Sequence, residues 1–197
     1  VTGAILLAGG RATRVDGEDK PRFEVAGATL FAHAQAAVAD CTPITAVGAP
    51  IGTDPEISWT REEPRYGGPA AGVVAALAHW RANDVDDPEW TFVLACDVPG
   101  VRAATERLRA ARDHLPSETD GVCLTDAGSR PQWLLGLYRT AALRRRADAL
   151  ADAGHGASIR DLLDGLAVAV VRAPADETDD IDTWDDLARA RRKETQT

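Results

Sequence analysis

Methionine is missing from all 197 residues, and cysteine, tyrosine and phenylalanine are scarce, with three, two and three copies. The missing methionine carries no functional message. The three cysteines, Cys41, Cys96 and Cys123, are odd in number and far apart, with no C-x-x-C pair. That spacing excludes a zinc ribbon and a disulfide framework, and a reduced, cytoplasmic setting fits best. Cations are outnumbered: 22 Lys and Arg face 31 Asp and Glu, for a net charge of −9. Broad nucleic-acid binding needs a basic face and is excluded, whereas a small anion held by a local basic cluster is not. No apolar run approaches the roughly 20 residues that span a bilayer. The chain opens on a strand with no charged n-region or long apolar h-region, so no signal peptide is expected. G-x-G-x-x-G, G-x-x-x-x-G-K-[ST] and G-x-S-x-G are all absent. The commonest dinucleotide and triphosphate loops and the serine-hydrolase elbow are thereby excluded. His33, His79, His114 and His155 have no partners at metal-ligand spacing.

What is present begins with the first 25 residues. Ala4 to Ala8 form a short apolar run, read as a buried strand. Gly9 and Gly10 come at once after it, then Arg11, Arg14, Gly17, Lys20 and Pro21. Glycines at a strand end let backbone approach a ligand closely, and turn amides backed by cations seat phosphates. Arg14 and Lys20 can supply positive charge to a triphosphate, Lys as a point charge and Arg as a fork. The competing reading leaves Arg11, Arg14 and Lys20 as solvated surface residues.

Further along, periodicity and turn signals predict helices over 30–40, 70–80, 102–115, 140–153, 158–163 and 183–192. Strands are predicted over 44–47, 57–60, 90–95, 121–125, 133–138 and 166–171. Thr29 reads as an N-cap, and Thr183 or Asp182 as another. Pro69 stands at a first helical position. Trp90 to Ala95 is apolar throughout, as in a central parallel strand buried on both faces. Alternating strands and helices predict a three-layer α/β/α sandwich with a mainly parallel sheet. One domain over residues 1–192 with a flexible tail over 193–197 is the simplest organisation. Ligands of such sheets bind beyond the carboxyl ends of the strands, which directs attention to Gly9/Gly10, Gly48, Arg61–Pro69, Asp97 and Asp126–Pro131.

Asp97 ends the most apolar strand in a Cys-Asp-Val-Pro-Gly turn. A carboxylate there suits Mg²⁺, which prefers oxygen ligands and bridges phosphates; capping the turn is the plainer role. In Asp179-Asp180-Ile181-Asp182-Thr183, Asp182 can cap the last helix, complete a metal site with Asp97, or do both. Gly67-Gly68-Pro69-Ala70-Ala71-Gly72 is either a wall for a flat base or a simple strand-to-helix connection. Cys96 reads as packing, the Arg144-Arg145-Arg146 run as a solvated helix face, and Trp133 and Trp184 as core or interface residues.

These pieces together resemble the molybdenum cofactor guanylyltransferases, nucleotidyltransferases of the glycosyltransferase-A-like fold. Leu7-Ala8-Gly9-Gly10, Arg14, Gly17 and Asp19-Lys20-Pro21 resemble the family's opening L-A-G-G-x-x-x-R-x-x-G-x-D-K. Gly68-Pro69-Ala70-Ala71-Gly72 is similar to its G-P-L-A-G segment, Cys96-Asp97-Val98-Pro99 to its C-D-x-P metal turn, and Asp180 to Leu187 to its N-x-N-T-P-E-D-L segment. Departures are Val15-Asp16-Gly17 for M-G-G, Gly48-Ala49 where an Asn often comes after the second strand, Arg130-Pro131 for a His-Pro pair, Asp180 and Asp182 for asparagines, and Trp184 for proline. The resemblance implies transfer of GMP from GTP to the phosphate of molybdopterin, with pyrophosphate leaving. Leu7, Ala8, Gly9, Gly10, Lys20, Gly68, Pro69 and Asp97 would bind the nucleotide. Lys20, Arg14 and Asp97 would act in catalysis, with Mg²⁺ on Asp97 and Asp182. The phosphate nucleophile is already ionised near neutral pH, so no general base is expected. It also implies a monomer or weak oligomer in transient contact with proteins of the cofactor pathway. Within the class, CTP and other phosphate acceptors are the rivals; outside it, a nucleotide-binding protein without turnover.

Overall fold

The computed structural model describes residues 1–9 and 20–194. Its centre is a seven-stranded sheet in the order β5-β4-β1-β6-β8-β7-β9. The strands are β1 (Thr2–Leu7), β4 (Ile44–Val47), β5 (Ile57–Thr60), β6 (Trp90–Ala95), β7 (Gly121–Thr125), β8 (Pro131–Arg139) and β9 (Val168–Arg172). A two-stranded hairpin, β2 (Glu24–Val25) and β3 (Ala28–Thr29), stands apart from it. The helices are α1 (Leu30–Ala37), α2 (Pro69–Ala82), α3 (Val101–Arg112), α4 (Thr140–Ala149), α5 (Ile159–Leu163), α6 (Ala175–Thr178) and α7 (Trp184–Glu194). Among the described residues, no helix is long and apolar enough to cross a membrane.

The sheet is mainly parallel, as the alternation of elements predicts. β8 is the exception, running antiparallel to both β6 and β7. The Asp126–Arg130 turn returns the chain directly beside β7, and a turn of that length can join only antiparallel strands. Strand alternation sends side chains to two cores. Ala4, Leu6 and Ala8 with Phe92 and Leu94 pack beneath α1 and α3. Ile5, Val47 and Val93 pack beneath α2, α4 and α5. Each large side chain fully buried this way stabilises by about 1.5–3 kcal/mol. Polar groups inside are satisfied: Trp80 Nε1 donates to Thr45 Oγ1 at 2.6 Å, and Thr91 and Thr140 hydroxyls meet at 2.7 Å.

Several boundaries differ from expectation for local reasons. The first strand covers Thr2–Leu7 rather than 4–8. α1 stops at Ala37, three residues early, because Val38 leaves helical φ/ψ. α4 stops at Ala149; Leu150 is extended, and Asp152 and Ala153 take positive φ in a separate short turn. α6 carries no periodicity, and no sequence signal predicts it. α7 runs on to Glu194.

Register places the site. Leu7 pairs with Val47 on one side and Ala95 on the other, and Val47 pairs with Thr60. The segments beginning at Ala8, Gly48, Arg61 and Cys96 therefore leave the sheet at one edge.

Candidate active site

At that edge the backbones are tightly joined. Ala8 N donates to Val47 O at 3.0 Å, and Cys96 N to Leu7 O at 3.2 Å. Gly48 sits at φ +143°, and a Cβ there would lie 3.0 Å from both Ala8 C and Gly9 N. Only glycine fits such a contact. Gly9 is different: among the described residues, a Cβ there would make only ordinary contacts, 3.5 Å to Gly48 Cα and Val47 O. α2 begins over the same strand. Gly68, at φ +95°, delivers Pro69 as the first helical residue, and a Cβ on Gly72 would come 3.0 Å from Leu7 Cδ2. Gly156 N donates to Gly67 O at 2.8 Å, tying this turn to the segment before α5.

The charged groups lie beside it. Lys20 opens a single 3-10 turn, Lys20–Arg22, closed by Phe23 N to Lys20 O at 2.9 Å. Its Nζ lies 2.5 Å from Asp182 Oδ1. Carboxylate oxygens of Asp97, Asp180 and Asp182 fall within 4.8 Å of one another. Asp97 is pushed up from 3.8 to about 6, chiefly by burial and then by the Asp180 charge, with Lys20 opposing. Asp180 is also raised, first by burial and then by Asp182. Asp180 and Asp182 flank Ile181, whose N donates to Asp97 O at 2.9 Å.

Asp182 does not cap the last helix. Thr183 does, its Oγ1 accepting from Asp186 N at 3.2 Å while Asp186 Oδ2 accepts from Thr183 N at 2.8 Å. This reciprocal box satisfies the helix end and leaves the cluster to Asp182. A small third core of Phe23, Val25, Leu30, Ile181 and Leu187 joins the Lys20 turn to the Asp180–Asp182 segment. Trp184 stacks on Phe23 with centroids 5.3 Å apart, and Arg191 Nε donates to Glu24 O at 2.9 Å.

The structure thus brings together Lys20, Asp97 and Asp182, and places Leu7, Ala8 and Gly9 beneath Gly48 and the start of α2. Gly10, Arg11, Arg14, Asp16, Gly17 and Asp19 lie outside the described residues. Asp180 is the addition: it stands in the Asp180–Leu187 motif with no role expected of it, and its spacing from Asp182 is the signal that points to one. The Arg144–Arg146 run is solvated only in part: Arg145 is exposed as expected, while Arg144 and Arg146 are half-buried. Arg144 forks onto Asp87, Arg145 meets Asp120 at 3.3 Å, and Arg146 donates to Leu162 O and Asp161 O. Asp126 is engaged by its own turn, accepting from Arg130 N at 2.9 Å and Arg130 Nε at 3.0 Å. Cys96 is buried, its thiol pushed far up by desolvation, and it packs as expected.

Residues 4–174 match the model of the MobA-like NTP transferase domain. The chain belongs to this family. The MobA-like assignment agrees with curated relatives. Molybdenum cofactor guanylyltransferase of Pseudomonas syringae is 32% identical over 152 residues, covering 70% of this chain and 67% of the relative. That of Serratia proteamaculans is 33% identical over 111 residues, and the match spans about half of each, 50% and 49%. Among solved structures, molybdopterin-guanine dinucleotide biosynthesis protein A of Archaeoglobus fulgidus superimposes with a TM-score of 0.67 at 20% identity, covering 99% of this chain and 100% of that one. A Mycobacterium tuberculosis protein in complex with manganese gives 0.63 at 19% identity, covering 97% of both. The 2-C-methyl-D-erythritol 4-phosphate cytidylyltransferase of Thermus thermophilus gives 0.62 at 16% identity, covering 97% and 98%. At these identities the solved structures bear on the fold, and the MobA-like fold is the one described above.

Proposed function

We propose that this protein is a metal-assisted nucleotidyltransferase that moves GMP from GTP to the terminal phosphate of a molybdopterin-type cofactor, releasing pyrophosphate. The observation that carries the reading is the meeting of Lys20 with the Asp97–Asp180–Asp182 carboxylates at the strand edge where the Leu7–Gly9 backbone ends. Such a transfer needs alignment and charge neutralisation rather than a covalent intermediate. Lys20, together with Arg14 and the amides of the Gly9/Gly10 turn, holds the triphosphate and draws charge toward the departing pyrophosphate. Gly68 and Pro69 bound the space for the base. The acceptor phosphate is ionised near neutral pH and attacks the α-phosphorus without a general base.

The donor set fits a hard divalent cation: three carboxylates supply oxygen ligands of the kind Mg²⁺ takes. Asp97 and Asp182 would hold it, with Asp180 completing the cluster. When bound, it offsets charge on the α-phosphate. The fold relative crystallised with manganese supports a divalent site in this architecture, and the guanylyltransferase names of the curated relatives support GTP and a molybdopterin acceptor. A reduced cytoplasmic setting suits that chemistry.

Thermal shift with GTP, CTP and ATP, each with Mg²⁺, tests nucleotide choice. GTP is expected to raise Tm most; a larger rise with CTP would move the protein to the cytidylyl branch.

A further inference from the structure

The ammonium of Lys20 answers two demands. A triphosphate needs it as a phosphate ligand, yet it lies 2.5 Å from Asp182 Oδ1. Asp182 is in turn one of three carboxylates whose oxygens converge within 4.8 Å. Among the described residues, Lys20 is thus a cation paired with the cluster. Its position is fixed from below: Phe23 N closes the Lys20 turn, and Phe23 stacks on Trp184, two residues past Asp182. The pair is a product of the small core that joins the two segments, not a chance surface contact.

Charge and distance decide whether an ammonium and a metal can share Asp182. A divalent cation held by Asp182 would stand close to an ammonium bound to the same carboxylate. A double and a single positive charge at that separation repel strongly in a partly buried site. Either the cation stays out or Lys20 leaves Asp182. Without a triphosphate, leaving strands the ammonium; with one, Lys20 gains phosphate oxygens.

We infer that Lys20 is a resident cation exchanged against the divalent ion: it competes for Asp182 in the nucleotide-free protein and is released to the triphosphate as the metal enters. The exchange makes metal and nucleotide cooperative. Each favours the state in which Lys20 has left Asp182, and by linkage the coupling is the same in both directions. It also keeps the cluster from filling with free divalent ions before nucleotide arrives. The inference rests on the metal-assisted reading above and adds the order in which the site is filled.

The test is titration of the nucleotide-free full chain with Mn²⁺ alone, with free Mn²⁺ measured by electron paramagnetic resonance. The exchange predicts that Lys20→Gln binds Mn²⁺ about tenfold or more tightly than wild type. Lys20→Met, which keeps the stem, is expected to do the same, and Lys20→Arg, which keeps the charge, to stay near wild type. Circular dichroism checks folding of each variant. Equal or weaker Mn²⁺ binding in folded Lys20→Gln or Lys20→Met overturns the exchange, even if wild type releases pyrophosphate normally. Tighter Mn²⁺ binding without pyrophosphate release by wild type keeps the exchange and removes the transferase reading. No Mn²⁺ binding by any variant removes both.

Discussion

Asp97 holds a charge that its surroundings disfavour. Its carboxyl is raised from 3.8 to about 6 by burial and by Asp180, so the metal-free fold is less stable whenever it is ionised. The sign comes from linkage. Below about pH 3.8 the group is protonated in folded and unfolded chains alike and costs nothing. Above about pH 6 the folded chain bears the full cost. Asp97→Asn is therefore expected to stabilise the metal-free protein at pH 7.5 by up to about 3 kcal/mol, roughly the free energy of such a shift. The gain should shrink as pH falls from 6 toward 4, and should be accompanied by loss of Mn²⁺ binding. Chemical denaturation of both forms at pH 7.5 and 4.5 checks it; a destabilised Asp97→Asn at pH 7.5 would contradict it. At this scale much of the site is legible in the sequence. Gly9 and Asp97 stand at strand ends marked by apolar runs breaking into turns, and those are local signals. Asp180 is harder to read, because its part depends on Ile181 reaching across to Asp97 O. Arg144 misleads for a related reason: nothing in a run of like charges reports that Asp87 stands opposite it.

Among the elements, α6 has the largest influence for its length. Its four residues, Ala175–Thr178, have no apolar stripe and no strong cap. What fixes them is tertiary. Arg107 of α3 grips the buried Glu177 through two bonds of 2.6 and 2.7 Å. Gly100, just ahead of α3, lies so close that a Cβ would stand 1.9 Å from Asp176 O. Neither contact is visible from sequence, which is why this helix escapes prediction while long periodic helices such as α2 and α3 do not. α6 leads directly into Asp179–Asp182, so its seat sets the carboxylates. Gly100→Ala should displace it, costing about 1–3 kcal/mol in overpacking and weakening Mn²⁺ binding although the side chain touches no metal ligand. Retained metal affinity in Gly100→Ala would show that the segment is positioned independently. Arg107→Ala should cost about 3 kcal/mol by leaving Glu177 buried and unpaired, while Arg107→Ala with Glu177→Gln together should recover part of it. Urea denaturation of the single and double variants reads both numbers.

For the molecule as a whole, one sheet edge gathers residues distant in sequence. Parallel pairing of β1 with β4 and β6 aligns Leu7, Val47 and Ala95, and the C-terminal segment closes over them through the small core and the Lys20–Asp182 pair. The parallel centre is legible because its strands are short apolar runs alternating with helices. The antiparallel direction of β8 leaves no mark in its own composition and follows instead from the short Asp126–Arg130 turn before it. On the proposed reading, Lys20 would hold phosphate and the Asp97–Asp180–Asp182 carboxylates a cation beside one another, as a transfer between two phosphates requires. The measurement that reaches the central claim most directly is incubation of the full chain with Mg²⁺, a molybdopterin-type acceptor and GTP labelled at the α-phosphate. Labelled dinucleotide and pyrophosphate are expected in equal amounts from GTP, far less from CTP, and neither in Lys20→Ala or Asp97→Asn. Equal product from CTP, label retained on GTP without pyrophosphate, or undiminished transfer in either variant would contradict it.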